Sequence, residues 1–115
     1  MRPFVSTIYG TTASPAGITT SPVYPTDIYT APTNIALSVV VTGTINYTVQ
    51  YTFDNVFDSA YNPSTGNWTD HPTLTSQTAT KDSNISYPVR GIRIKANSGT
   101  GSALFTAIQS GGGVS

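Results

Sequence analysis

Two neighbouring stretches carry a hydrophobic pattern clear enough to name elements. From Ile35 to Val41 the run Ile-Ala-Leu-Ser-Val-Val-Val is nearly continuous, which predicts a strand buried on both faces or nearly so. Thr42-Gly43-Thr44 is a turn signal in a β context. Ile45, Tyr47, Val49, Tyr51 and Phe53 then alternate with Asn46, Thr48, Gln50 and Thr52, placing five apolar side chains on one sheet face. Burying each is worth roughly 1.5–3 kcal/mol, and a register slip of one residue would expose them all. The two strands and their turn read as a hairpin.

The rest of the chain repeats the pattern in shorter pieces. Tyr87 to Ala96 is a second alternating strand, with Ile92, Ile94 and Ala96 facing in and Arg93 and Lys95 facing out. Asn97 to Gly101 turns the chain into Ser102–Gln109, where Leu104, Thr106 and Ile108 oppose Ala103, Phe105 and Ala107. Thr75 to Lys81 reads as a further strand, turned by Asp82-Ser83-Asn84. Between them, residues 54–73 form a long polar excursion, and loops of that length are often functional. Short strands at this spacing predict an all-β, two-sheet sandwich of jelly-roll or immunoglobulin-like type.

The first third differs. Residues 3–33 hold five of the eight prolines and no Lys or Arg, so they form neither a helix nor a central strand. Phe4, Val5, Ile8, Ile18, Val23, Tyr24, Ile28 and Tyr29 are nonetheless too apolar for a disordered tail. The expected organisation is an extended Pro-rich arm over 1–33 with short strands near 4–9 and 17–20, a β-sandwich over 34–110, and a flexible Gly-rich tail over 111–115. The arm should lie on something, either its own domain or a neighbour.

Composition sharpens this picture. Thr occurs 20 times and Ser 13 times in 115 residues, Glu is absent, and five Asp balance five Lys or Arg. Such usage favours strands over helices. No stretch is basic enough to follow phosphates or an anionic membrane, so neither nucleic acid nor a membrane is an expected partner. A surface with so few charges is weakly protected against self-association, which suits a part of a larger assembly. With no Cys there is no disulfide and no thiolate metal site. No signal or membrane-spanning segment is legible, so synthesis in the cytosol is expected, with the sequons at Asn46, Asn67 and Asn84 unmodified.

Candidate chemistry is thin. His71 is the lone histidine and lacks a nucleophile or further ligands, so a structural or surface role is expected. Asp54, Asp58, Asn55 and Asn62 offer oxygen ligands for calcium, but Asx residues also cap turns, which is the reading favoured here. Gly99-Thr-Gly101-Ser102 is not followed by Lys and opens a strand, so it is no phosphate cradle. The expectation is a protein without catalytic residues, metal or cofactor. The candidate partner-binding residues are Phe4, Ile8, Val23, Tyr24, Ile28 and Tyr29 on the arm. Tyr61 and Trp68 on the long loop, near Phe57, would stack on a sugar or anchor an interface if exposed, or plug the end of the sandwich if not. Arg93 and Lys95 would form an outward basic face, solvated or meeting an acidic partner.

Val39-Val-Val-Thr-Gly43-Thr-Ile-Asn-Tyr-Thr-Val-Gln50-Tyr-Thr-Phe-Asp54, Tyr87-Pro-Val-Arg90-Gly-Ile-Arg93-Ile, Ser98-Gly-Thr-Gly101 and Phe105-Thr-Ala-Ile-Gln109 together resemble small virion proteins of tailed bacteriophages. The resemblance covers about two thirds of the chain and leaves out the arm. It implies a capsid decoration or cement protein on the capsid exterior, or another small head or tail accessory. The implied partner is the major capsid protein, with the chain a dimer or trimer at a symmetry axis. Such a protein would bridge and stabilise adjacent capsid subunits. The alternative is a carbohydrate- or receptor-binding module of a tail or fibre.

Overall fold

The computed structural model describes residues 4–13, 16–26, 34–56, 60–62, 65–86 and 89–109. Those residues form eight strands and no helix. They are β1 (Phe4–Tyr9), β2 (Tyr24–Pro25), β3 (Ile35–Thr42), β4 (Ile45–Thr52), β5 (Trp68–Asp70), β6 (Lys81–Ile85), β7 (Gly91–Gly99) and β8 (Ser102–Gln109). One sheet, A, has the order β1-β8-β3-β6 and the other, B, the order β2-β7-β4-β5. All the pairings are antiparallel, and the two sheets face each other across one core.

The pairings nest: β1 with β8, β2 with β7, β3 with β6, β4 with β5. Wrapping that ribbon into two layers brings β3 against β8 and β4 against β7 as well. Only β4 and β5 are then consecutive strands of one sheet. The expected hairpin of β3 and β4 is corrected accordingly. Gly43-Thr44 carries the chain from sheet A into sheet B, and Thr100-Gly101 carries β7 into β8 the opposite way. A hairpin would leave both apolar faces on one side of a single sheet with nothing to cover them. Crossing lets Leu37 and Val39 meet Tyr47 and Val49.

The two corners hold each other. The Thr44 carbonyl accepts from the Thr100 and Gly101 amides, at 2.9 and 2.7 Å. Gly99 adopts φ 119°, and a Cβ there would stand 2.4 Å from the Thr44 carbonyl oxygen, so only glycine fits.

The inward set of β4, β7 and β8 agrees with their alternation: Tyr47, Val49, Ile92, Ile94, Ala103, Phe105 and Ala107 are buried in the core. Phe53, just past β4, is instead exposed and meets Tyr51 edge-on. The strand expected over Thr75–Lys81 lies later: Lys81–Ile85 is β6, so the residues read as its turn are strand.

Over its described residues, the first third lies on its own domain. β1 pairs along its whole length with β8, and β2 pairs with β7. Phe4 on β1 stacks on Tyr24 on β2 with ring centroids 4.5 Å apart, which ties the sheets together at that edge. At the opposite edge His71 does the same. Its Nε2 lies 2.9 Å from the Asn84 carbonyl of β6 and its Nδ1 accepts the Thr73 amide, so the ring links the two sheets. Residues 27–33 of the arm and the 111–115 tail lie outside the described residues.

Candidate functional site

The binding residues expected from the sequence scatter once folded. Ile8 is sealed in the core and is withdrawn as a contact for any partner. Phe4 and Tyr24 stack on each other. Val23 is half-buried, with its Cγ1 3.2 Å from where a Cβ at Gly91 would stand. Ile28, Tyr29 and Phe57 lie outside the described residues. Lys95 stands on the outward side of β7, where Thr20 bridges to it.

Tyr61, Trp68 and Arg93 do come together, on the outward side of sheet B. Register places Asp70 opposite Gln50 and Gln50 opposite Arg93, so three strands present one row of polar side chains. Arg93 Nε donates to Gln50 Oε1 at 2.9 Å, and Gln50 Nε2 donates to Asp70 Oδ1 at 2.8 Å. The Arg93 guanidinium lies 4.2 Å from the Trp68 ring centroid, a cation–π arrangement that covers one face of the indole. Burial lowers the Arg93 pKa, with Tyr61 opposing.

A β-bulge continues the row. The register of β4 and β7 shifts at Asn46/Tyr47, and the extra residue, Asn97, donates to Asn46 Oδ1 and Thr48 Oγ1 at 2.8 and 2.9 Å. These side chains bury Thr48, Gln50 and Thr52 although they face away from the core.

The long excursion ends at Asn67, because Trp68–Asp70 is β5. Its neck is closed: Asp54 Oδ2 accepts the Asn67 amide at 2.7 Å, and Thr52 Oγ1 donates to the Asn67 carbonyl at 2.8 Å. Asp54 thus caps a turn. Among the described residues no three of His, Cys, Asp or Glu come together to hold a metal. Tyr61 is half-buried against Gly66, where a Cβ would stand 2.7 Å from its hydroxyl. That hydroxyl is sealed from solvent and has no hydrogen-bond partner among the described residues. Burial, then the Asp54 carboxylate, raises its pKa, partly offset by the Arg93 charge.

The outward side of sheet A is different in kind. Val5 on β1, Leu104 and Ile108 on β8, and Val40 on β3 are 59%, 40%, 48% and 45% exposed. Register sets Val40 beside Leu104, Ala36 beside Ile108, and Val5 beside Thr106, so these form one patch rather than scattered residues. β6 borders it with Asp82 and Asn84, opposite Ser38 and Ala36. Sequence reasoning missed this surface. Val39-Val40-Val41 reads as a strand buried on both sides, whereas β3 alternates between buried and exposed residues. Only the coexistence of Leu104 and Ile108 with an equally apolar opposite set hinted at it.

Compared with known proteins, the chain matches no family model, no curated protein and no solved structure.

Proposed function

We propose that this chain is a non-enzymatic structural protein of a bacteriophage virion. In this reading it is a jelly-roll sandwich that docks through the outward face of sheet A on the capsid exterior, where it bridges and stabilises adjacent major capsid proteins. The observation that carries the reading is the exposed patch of Val5, Val40, Leu104 and Ile108 on a chain with ten charged residues. An apolar centre with Asp82 and Asn84 at its margin matches the anatomy of a protein interface, apolar inside and polar at the rim. The capsid as occupant comes from the virion resemblance.

The strand order supports the jelly-roll reading. Nested pairs wrapped into two facing four-stranded sheets are the architecture of two interleaved Greek keys, found in viral capsid and lectin domains. Architecture alone does not assign a function, so the weight rests on the face. Bridging falls to that face rather than to residues 4–26, which are tied into their own sandwich. A dimer or trimer at a symmetry axis would present two or three copies of it.

The alternative, a glycan- or receptor-binding module using Tyr61 and Trp68, has less support. Arg93 covers one face of Trp68, and the Tyr61 hydroxyl is sealed.

The test is co-sedimentation with expanded, empty capsids. Deleting residues 1–33 would take Ile8 out of the core, so face variants are the informative ones. The native chain should bind saturably. Val40→Lys with Leu104→Lys should abolish binding while leaving the thermal midpoint of the free protein little changed. Undiminished binding by the double variant would overturn the docking face, and no binding by the native chain would overturn the capsid role.

A further inference from the structure

At the end of the sandwich where the chain crosses between sheets, an open groove of about 320 Å³ lies between the two corners and the turn that follows β1. Tyr9, Thr42, Thr100 and Ser102 line it together with the side-chain-free backbone of Gly43 and Gly101. We infer that this groove binds a neutral saccharide, one or two sugar units of a free or surface-linked glycan. The proposal rests on the groove alone, although Tyr9, Thr42 and Ser102 continue the outward row of sheet A beside Val40 and Leu104.

Three observations carry it. The first is chemistry. Among the described residues no charged side chain lines the groove, and the hydroxyls of Tyr9, Thr42, Thr100 and Ser102 make no hydrogen bond to any described residue. Four hydroxyls that both donate and accept match the hydroxyl pattern of a sugar. A phosphate, carboxylate or amine would find no counter-charge there among the described residues. The second is the Tyr9 ring, which offers an apolar surface for the C–H face of a pyranose. Its place is secured by Gly17, where a Cβ would lie 2.1 Å from Tyr9 Cδ2.

The third observation is rigidity. The Gly10 amide donates to the Gly101 carbonyl at 2.9 Å, and the Thr12 amide and hydroxyl both donate to the Gly99 carbonyl. With the Thr44 carbonyl clamping Thr100 and Gly101, the walls are fixed before any ligand arrives, which lowers the entropic cost of binding. A Cβ at Gly101 would stand 2.3 Å from the Thr42 carbonyl oxygen, so one wall stays bare backbone. The volume lies at the lower end of ligand sites, which fits a mono- or disaccharide.

The experiment is an amide-resolved NMR titration of the full ¹⁵N-labelled chain. The probes are maltose, lactose, cellobiose and N,N′-diacetylchitobiose, with glucuronate and glucose 6-phosphate as charged counterparts. At least one neutral sugar should give saturable shifts centred on Gly43, Thr44, Thr100, Gly101 and Ser102, while the charged probes give none. Tyr9→Ala should weaken binding about tenfold. The double variant Thr100→Val with Ser102→Ala, which leaves β1 intact, should weaken it by a similar factor. The inference is overturned if no neutral sugar saturates, if shifts centre on Trp68 instead, or if the double variant binds as tightly as the native chain.

Discussion

On sheet A the outward positions of the central strands, Val40, Leu104 and Ile108, stand in solvent. On sheet B the outward positions of β4, Thr48, Gln50 and Thr52, are buried. Both central regions alternate with the same period and both sheets have four strands, so pleat geometry does not explain the contrast. Neighbours do. β4 runs between β7, which carries Arg93 and Asn97 outward, and β5, which carries Trp68 and Asp70. Those side chains hydrogen-bond or stack across it. Beside β3 and β8, β1 carries Val5, Thr7 and Tyr9 outward and β6 carries Asp82 and Asn84, and none of them covers Val40, Leu104 or Ile108, which stay exposed. A strand position is thus covered by what its neighbours carry, whatever its own polarity. The polar face is thereby closed within the chain, whereas the apolar face stays exposed.

The contrast can be broken from the sheet B side first. Gln50→Ala removes the partner of both Arg93 Nε and Asp70 Oδ1 in one step, and should cost about 2–3 kcal/mol in urea-unfolding experiments. A loss below about 0.5 kcal/mol would show that the row merely decorates the surface. Arg93→Ala should cost about 1–2 kcal/mol, from the Gln50 bond and the stacking on Trp68. It should also red-shift Trp68 fluorescence by uncovering the indole, and unchanged emission would contradict the stacked geometry.

Alkaline pH probes the same sheet more gently. Burial raises the pKa of Tyr47, whose hydroxyl donates to the Ala79 carbonyl at 2.7 Å, and Tyr61 is raised by burial and then by Asp54. A raised folded value means that the unfolded chain loses its tyrosine protons first. The stabilisation is therefore complete below the unfolded value near pH 10 and is lost as pH climbs above it. The thermal midpoint should be flat with respect to these groups up to about pH 9 and then fall, less steeply for Tyr47→Phe. The smallest effect is expected on sheet A. Leu104→Thr should change stability by no more than about 0.5 kcal/mol, and a larger loss would mean that the face is covered within the chain after all.

Much of the fold was legible because alternation is local. The inward sets of β4, β7 and β8 follow from their own residues, and so does the strand at Phe4–Tyr9. Of the candidate binding residues, Tyr61 and Trp68 were read together on the long loop and lie together, whereas Arg93 was grouped with Lys95 and its place over Trp68 was not foreseen; Ile8 was not separable from surface residues. An apolar residue in a Pro-rich stretch looks the same whether it docks on a partner or on its own core. The apolar patch was hidden for a related reason: Val40 sits in a run that reads as buried, and only an uncovered sheet makes it surface.

The sequence by itself determined the class, two-faced strands joined by turns, with no helix and few charges. It also set which side chains of β4, β7 and β8 share a face, because the period of two is built into the extended backbone. Tertiary structure alone decided that Gly43-Thr44 is a crossing rather than a hairpin, that Asp82-Ser83-Asn84 is strand rather than turn, and that the first third joins both sheets. It also left one face of β3 exposed and buried the outward polar positions of β4. Each of these depends on pairings between residues tens of positions apart, such as Gln50 with Arg93 or Ile8 with Ala103. The single core that satisfies all of the inward sets selects those pairings, and no local window contains it.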